Sequence, residues 1–173
     1  MKRDKGKHWK VALWYAEGIR DGKIVANVER VQCVERFFRD LENPEYEMDS
    51  KGPEFCIGII EKTLCHQQGE ALDGTPMRGK PFILQPWQIF VIYNLIGFKI
   101  KGTEIVKYHE ALIFIPRKNS KTSFAAALAW ALSLWYRRSG AKTYVSSAAL
   151  LQSLETFNFM TYNIKRMGEE DKD

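Results

Sequence analysis

Apolar residues recur at helical spacing through the first quarter of the chain. Ala12, Tyr15, Ala16 and Ile19 share one face, and after a break at Asp21-Gly22 the positions Val28, Val31, Val34, Phe38 and Leu41 continue the pattern. Helices are therefore predicted on either side of Gly22. The stretch 41–53, LENPEYEMDSKGP, is acidic and rich in breakers and reads as a loop. Over 54–68, Phe55, Ile59, Leu64 and Cys65 make an apolar face on a further helix, with Glu54 and Glu61 as its solvated charges. After the loop-like 69–80, Pro86 suits the first turn of a helix that carries Gln88, Val91, Ile92, Leu95 and Ile96 and stops at Gly97. The charged connection 98–110 reads as a short hairpin around Lys101-Gly102.

The pattern changes at Ala111. Ala111-Leu112-Ile113-Phe114-Ile115 is a near-continuous apolar run, as expected of a parallel strand buried on both faces. A polar, cationic segment follows, Pro116-Arg117-Lys118-Asn119-Ser120-Lys121-Thr122, and then an Ala-rich stretch of strong helix propensity ending before Arg137-Arg138. Residues 141–147, AKTYVSS, read as a second strand and 148–167 as a closing helix. This order predicts an α/β fold: part of a P-loop NTPase, a parallel sheet with flanking helices, preceded by a helical N-terminal region. The expected division is a helical lead-in over 1–75 and the ATPase part over 76–173.

Composition narrows the class. With 45% hydrophobic and 13% aromatic residues among 173, the chain can bury a core. Its net charge of +5 suits work beside DNA, although surface lysines alone produce the same value. Residues 1–10, MKRDKGKHWK, are read as a solvated tail, with a DNA-contacting arm as the sharper alternative. Cys33, Cys56 and Cys65 form no C-x-x-C pair and lack a fourth ligand at zinc-like spacing, so they are read as thiols in a reducing cytoplasm. The N-terminus shows no apolar export segment, and the apolar helix after Thr122 is shorter than the roughly 20 residues a membrane span needs.

The cationic segment carries the chemistry. A phosphate-binding loop needs backbone N–H groups turned towards the phosphates, a Lys to neutralise them and a hydroxyl for Mg²⁺, all at the positive end of a helix. Lys121 and Thr122 supply the Lys and the hydroxyl, and the N–H groups of Lys118, Asn119, Ser120, Lys121 and Thr122 supply the cradle. Arg117 is placed to stabilise γ-phosphate charge in cis. Against the pattern G-x-x-x-x-G-K-[ST], the glycine positions hold Ile115 and Ser120. If the second needs a left-handed backbone, Ser costs roughly 1–2 kcal/mol that Gly would avoid. The competing reading is a basic turn between a buried strand and a core helix, with no ligand.

The segment LQPWQIFVIYNLIGF, followed by EALIFIPRKNSKT, resembles the large subunit of tailed-phage terminases, the DNA-packaging motors. In that family an L-x-P-W-Q segment precedes a P-R-[KR]-N-x-K-[ST] form of the Walker A loop. The upstream YAEGIRDGKIVANVERVQCVERFFRDL is similar to the family's helical lead-in, and the resemblance covers most of residues 10–160. It implies ATP and Mg²⁺ as cofactors, an adenine-reading Gln best matched by Gln88 with Gln85 second, and a catalytic or sensing Arg at Arg117 beside Lys121. It further implies double-stranded DNA, a small terminase subunit and a portal protein as partners, a ring homo-oligomer for the full-length protein, and the cytoplasm of a phage-infected or prophage-carrying bacterium. A Gln amide offers both donor and acceptor to the adenine edge.

An Asp-Glu pair at the end of a later apolar strand, which would hold Mg²⁺ and activate water, is not found after Thr122; Glu169-Glu170-Asp171 sits in a polar tail. The nuclease carboxylates of the family are also absent. The chain is accordingly expected to be an N-terminal part of the motor, inactive alone. The alternatives are a fragment of another P-loop nucleic-acid translocase and a non-catalytic fragment that binds partner subunits or DNA.

Overall fold

The computed structural model describes residues 6–71, 73–116, 119–136 and 142–170. Helices dominate: α1 (Lys7–Arg20), α2 (Val28–Glu42), α3 (Lys51–Thr63), α4 (Pro86–Ile92), which continues as a π-helix (Tyr93–Gly97), α5 (Lys121–Tyr136) and α6 (Leu150–Glu170). The strands β1 (Tyr46–Met48) and β2 (Phe98–Ile100) form a two-stranded antiparallel sheet with Glu47 opposite Lys99.

The predicted helices form, except that α3 ends at Thr63, so Leu64 and Cys65 lie beyond it and Cys65 instead bridges to Pro81. Gly22 takes a left-handed φ of 71° after α1, and Asn27 caps α2 by accepting the Arg30 N–H at 3.3 Å. Pro86 opens α4, and Gly97 closes the π-helix. The hairpin turns at Gly102, with φ 77°, and returns to pair Val106 with Lys99.

The expected parallel α/β sheet does not form, which corrects the fold class read from the sequence. Residues 111–115 belong to no helix or strand, and Leu112 and Phe114 are each 95% exposed instead of buried. Residues 142–147 are likewise unpaired and exposed, with Tyr144 open to solvent; the remainder of that predicted strand, Ala141, lies outside the described residues. An apolar run states that a segment can line a sheet. The ladder itself needs a neighbour remote in sequence, and neither segment has one among the described residues. The paired strand β1 instead falls in the stretch that composition marks as loop.

The chain divides into two compact units, Met1–Ile57 with Leu84–Ile113, and Gly58–Ile83 with Phe114–Asp173. In the first, α1 packs on α4 and α2. Its core is aromatic: Phe37 lies 5.9 Å from Trp9, 5.2 Å from Phe90 and 5.6 Å from Phe98, centroid to centroid. Glu54, read from the sequence as a solvated helix charge, ties this unit together. Its Oε1 accepts the His8 N–H at 2.8 Å, the Trp9 N–H at 3.2 Å and the Tyr93 hydroxyl at 2.6 Å, while Oε2 lies 2.7 Å from His8 Nδ1. A carboxylate from α3 thus closes the open amides at the start of α1, where the helix dipole favours negative charge. Cβ atoms are excluded beside it, because one built on Gly6 would lie 2.5 Å from the Glu54 carboxyl. Burial acts to raise the Glu54 pKa, but the bonds from Tyr93 and His8 outweigh it and hold the carboxyl below its ordinary range.

In the second unit, α5 and α6 pack together, with Phe124, Ala127 and Ala131 buried on α5. Asn163 of α6 is wholly buried. It accepts the Cys65 N–H through Oδ1 at 2.7 Å and donates Nδ2 to the carbonyls of Cys65, at 3.2 Å, and Phe159, at 2.9 Å. Phe82 packs between His66 and Phe159, with centroids at 4.8 and 5.6 Å.

Two outcomes follow. Asn163→Leu strands the Cys65 backbone groups and is expected to lower unfolding stability by about 3 kcal/mol in a urea titration; an unchanged midpoint contradicts the clamp. Glu54→Gln is expected to cost about 2 kcal/mol near neutrality. Because the folded pKa lies below the unfolded one, near ~4.3 for Glu, that wild-type advantage is fully present above the unfolded value. It shrinks as pH falls through the folded one. Denaturation of both proteins across acidic pH reads this directly, and a pH-independent difference contradicts it.

Candidate phosphate-binding site

The start of α5 is built by Ser120. Its carbonyl accepts the Phe124 N–H at 2.8 Å, the first bond of the helix. Its φ is 55°, a left-handed backbone, and it is the one non-glycine residue with positive φ among the described residues. Non-glycine residues avoid this region at a cost of roughly 1–2 kcal/mol, and such strain concentrates at ligand clamps. Ser120 occupies the second glycine position of the phosphate-loop pattern, so the conformation that makes glycine useful there is present with Ser in its place.

Lys121 follows as the first helical residue and is exposed, and Thr122 is half-buried in the first turn. The N–H groups of Lys121, Thr122 and Ser123 belong to the turn of a helix that has no intrahelical acceptor. Asn119, also exposed, donates Nδ2 to the Pro116 carbonyl at 3.3 Å, which folds the segment back on itself. The structure therefore brings Ser120, Lys121 and Thr122 together on one exposed helix start, with Asn119 beside them. Arg117 and Lys118 lie outside the described residues.

Gln88 belongs to the first unit, in the first turn of α4. It is 3% exposed, and its Oε1 accepts the Gln85 N–H at 2.7 Å, closing the start of the helix. Its acceptor oxygen is thereby engaged in a helix cap, and Gln85 contributes the backbone side of the same bond. Ser147 of the second unit also serves locally, donating to the Ala149 carbonyl at 2.7 Å and lying 2.6 Å from the Ser153 hydroxyl.

No group of three or more metal-ligating side chains occurs among the described residues, and no described helix is long and apolar enough to cross a membrane. Burial pushes the Cys56 thiol up to about 12, which leaves it a packed, unreactive group. Sequence reasoning passed over Asn94, a buried amide that lines a cavity of the first unit. Its position on an otherwise apolar helix was the available signal. Comparison with protein-family models, with curated proteins and with solved structures returns no match.

Proposed function

We propose that the start of α5 binds the phosphates of ATP with Mg²⁺, and that the chain is the ATP-binding part of a terminase-type DNA-packaging motor. The observation that carries this reading is the left-handed Ser120 immediately before an exposed Lys and Thr at a helix start. A positive φ there turns the preceding peptide so that successive N–H groups converge on an anion, the geometry of a backbone nest. Lys121 supplies the compensating charge, Thr122 the hydroxyl for Mg²⁺, and the helix dipole adds to both. The spelling L-Q-P-W-Q followed by P-R-K-N-S-K-T supports the motor assignment, with double-stranded DNA, a small terminase subunit and a portal protein as partners. Arg117, one residue after Pro116, is assigned to the γ-phosphate. Hydrolysis needs a carboxylate that orients water, and this role is assigned to no residue of the chain.

Titration with a fluorescent ATP analogue in Mg²⁺ tests the reading. Saturable binding is expected, weakened at least about tenfold by Lys121→Ala, the scale of one lost charge-assisted contact. Ser120→Gly relieves the backbone strain and is expected to keep or tighten affinity. Binding that ignores Lys121→Ala, or that Ser120→Gly abolishes, overturns the proposal.

A further inference from the structure

The outer face of α6 is apolar where a surface helix is normally polar. Phe159 and Asn163 of this helix are buried in the second unit. On the opposite side Leu150 is 75% exposed, Leu154 37%, Phe157 65% and Ile164 51%, with half-buried Thr161 between the last two. Leu151, next to the first of them, is exposed as well. Single apolar side chains on a surface are ordinary, but a contiguous row of them marks a surface that meets something else.

The spacing says what it meets. Positions 150, 154, 157, 161 and 164 alternate steps of four and three along the helix. That repeat keeps the row on one seam and suits the knobs-into-holes packing of a facing helix. Towards α5, Leu154, Phe157 and Ile164 also border a cavity of about 440 Å³, lined in part by Ala126, Trp130 and Met160. The seam is thus flanked by a recess that side chains of a facing helix can enter.

Charge and size point to a second α6, laid antiparallel. Glu155 and Lys165 are exposed and flank the seam on one side. When Leu154 of one copy faces Ile164 of the other, Glu155 comes level with Lys165 of the other protomer, and it does so twice by symmetry. A parallel pair sets Glu155 level with Glu155 and Lys165 level with Lys165, which repels. The antiparallel register also sets Phe157 against the smaller Thr161, large against small. From their fractional exposures, the five apolar side chains offer on the order of 500 Å² per copy. Two copies together then bury about 1,000 Å², the lower bound of a specific interface.

We propose that α6 is a self-association element, through which two copies of this chain pair antiparallel by Leu150, Leu154, Phe157 and Ile164. The pair is two-fold, with the same patch serving both copies. It is independent of phosphate binding at the start of α5.

Sedimentation equilibrium of the full chain is expected to show a monomer–dimer equilibrium with a dissociation constant in the micromolar range, the scale for so small a patch. Phe157→Glu places a charge in the seam and is expected to raise that constant at least about tenfold. Phe157 is mostly exposed, so the variant is expected to keep the fold, which circular dichroism checks. Orientation is read by crosslinking in a Cys33→Ser background, where the remaining thiols, Cys56 and Cys65, are buried. Leu154→Cys and Ile164→Cys proteins are oxidised separately and mixed, and disulfide-linked dimers are expected from the mixture alone. A chain that stays monomeric at millimolar concentration overturns the proposal, as does a dimer that Phe157→Glu leaves intact. Crosslinking by either variant alone as readily as by the mixture, or none from the mixture, overturns it too.

Discussion

A single carboxylate organises the first unit. Glu54, on α3, gathers two backbone amides from the start of α1, the imidazole of His8 and the hydroxyl of Tyr93 from the π-helix. Three elements distant in sequence are thereby held against one charge. Trp9, whose amide the carboxylate accepts, packs its ring 5.9 Å from Phe37 and 5.4 Å from Tyr93, so the bonds to Glu54 and the aromatic core meet at the same residues. Asn163 plays the matching part in the second unit, where an α6 amide closes the backbone of Cys65. In both cases a polar side chain on a helix completes hydrogen bonds that the chain elsewhere leaves open. Burial of those bonds gives them their weight.

Local signals were the legible ones. The Gly22 break, the Asn27 cap, the Pro86 start and the Gly97 stop are each decided within a few residues, and the helices follow them. The α/β expectation failed where the information is not local. Ala111–Ile115 has the composition of a central strand, yet only a paired neighbour makes a strand, and periodicity carries no record of pairing. Glu54 and Asn163 were hidden for the same reason. As letters on helices they are indistinguishable from solvated polar positions, and their roles exist only once a distant backbone arrives.

The candidate site was readable in a different way. Spelling identified Lys121 and Thr122, and the conformation of Ser120 adds what spelling lacked, a physical counterpart of the missing glycine. Gln88 is a less simple case, since its acceptor oxygen is engaged in the cap of α4. Asn94 shows what residue patterns overlook altogether. It is buried, and its amide donates to the Phe90 carbonyl one turn back along its own helix.

The central functional claim is that phosphate oxygens meet the backbone at the start of α5. Amide ¹H–¹⁵N spectra recorded while ATP and Mg²⁺ are added test it most directly. The account predicts the largest shifts at Lys121, Thr122 and Ser123, reproduced by inorganic triphosphate and not by adenosine. Silent amides at these three positions under saturating ATP, or equal shifts from adenosine, would contradict it.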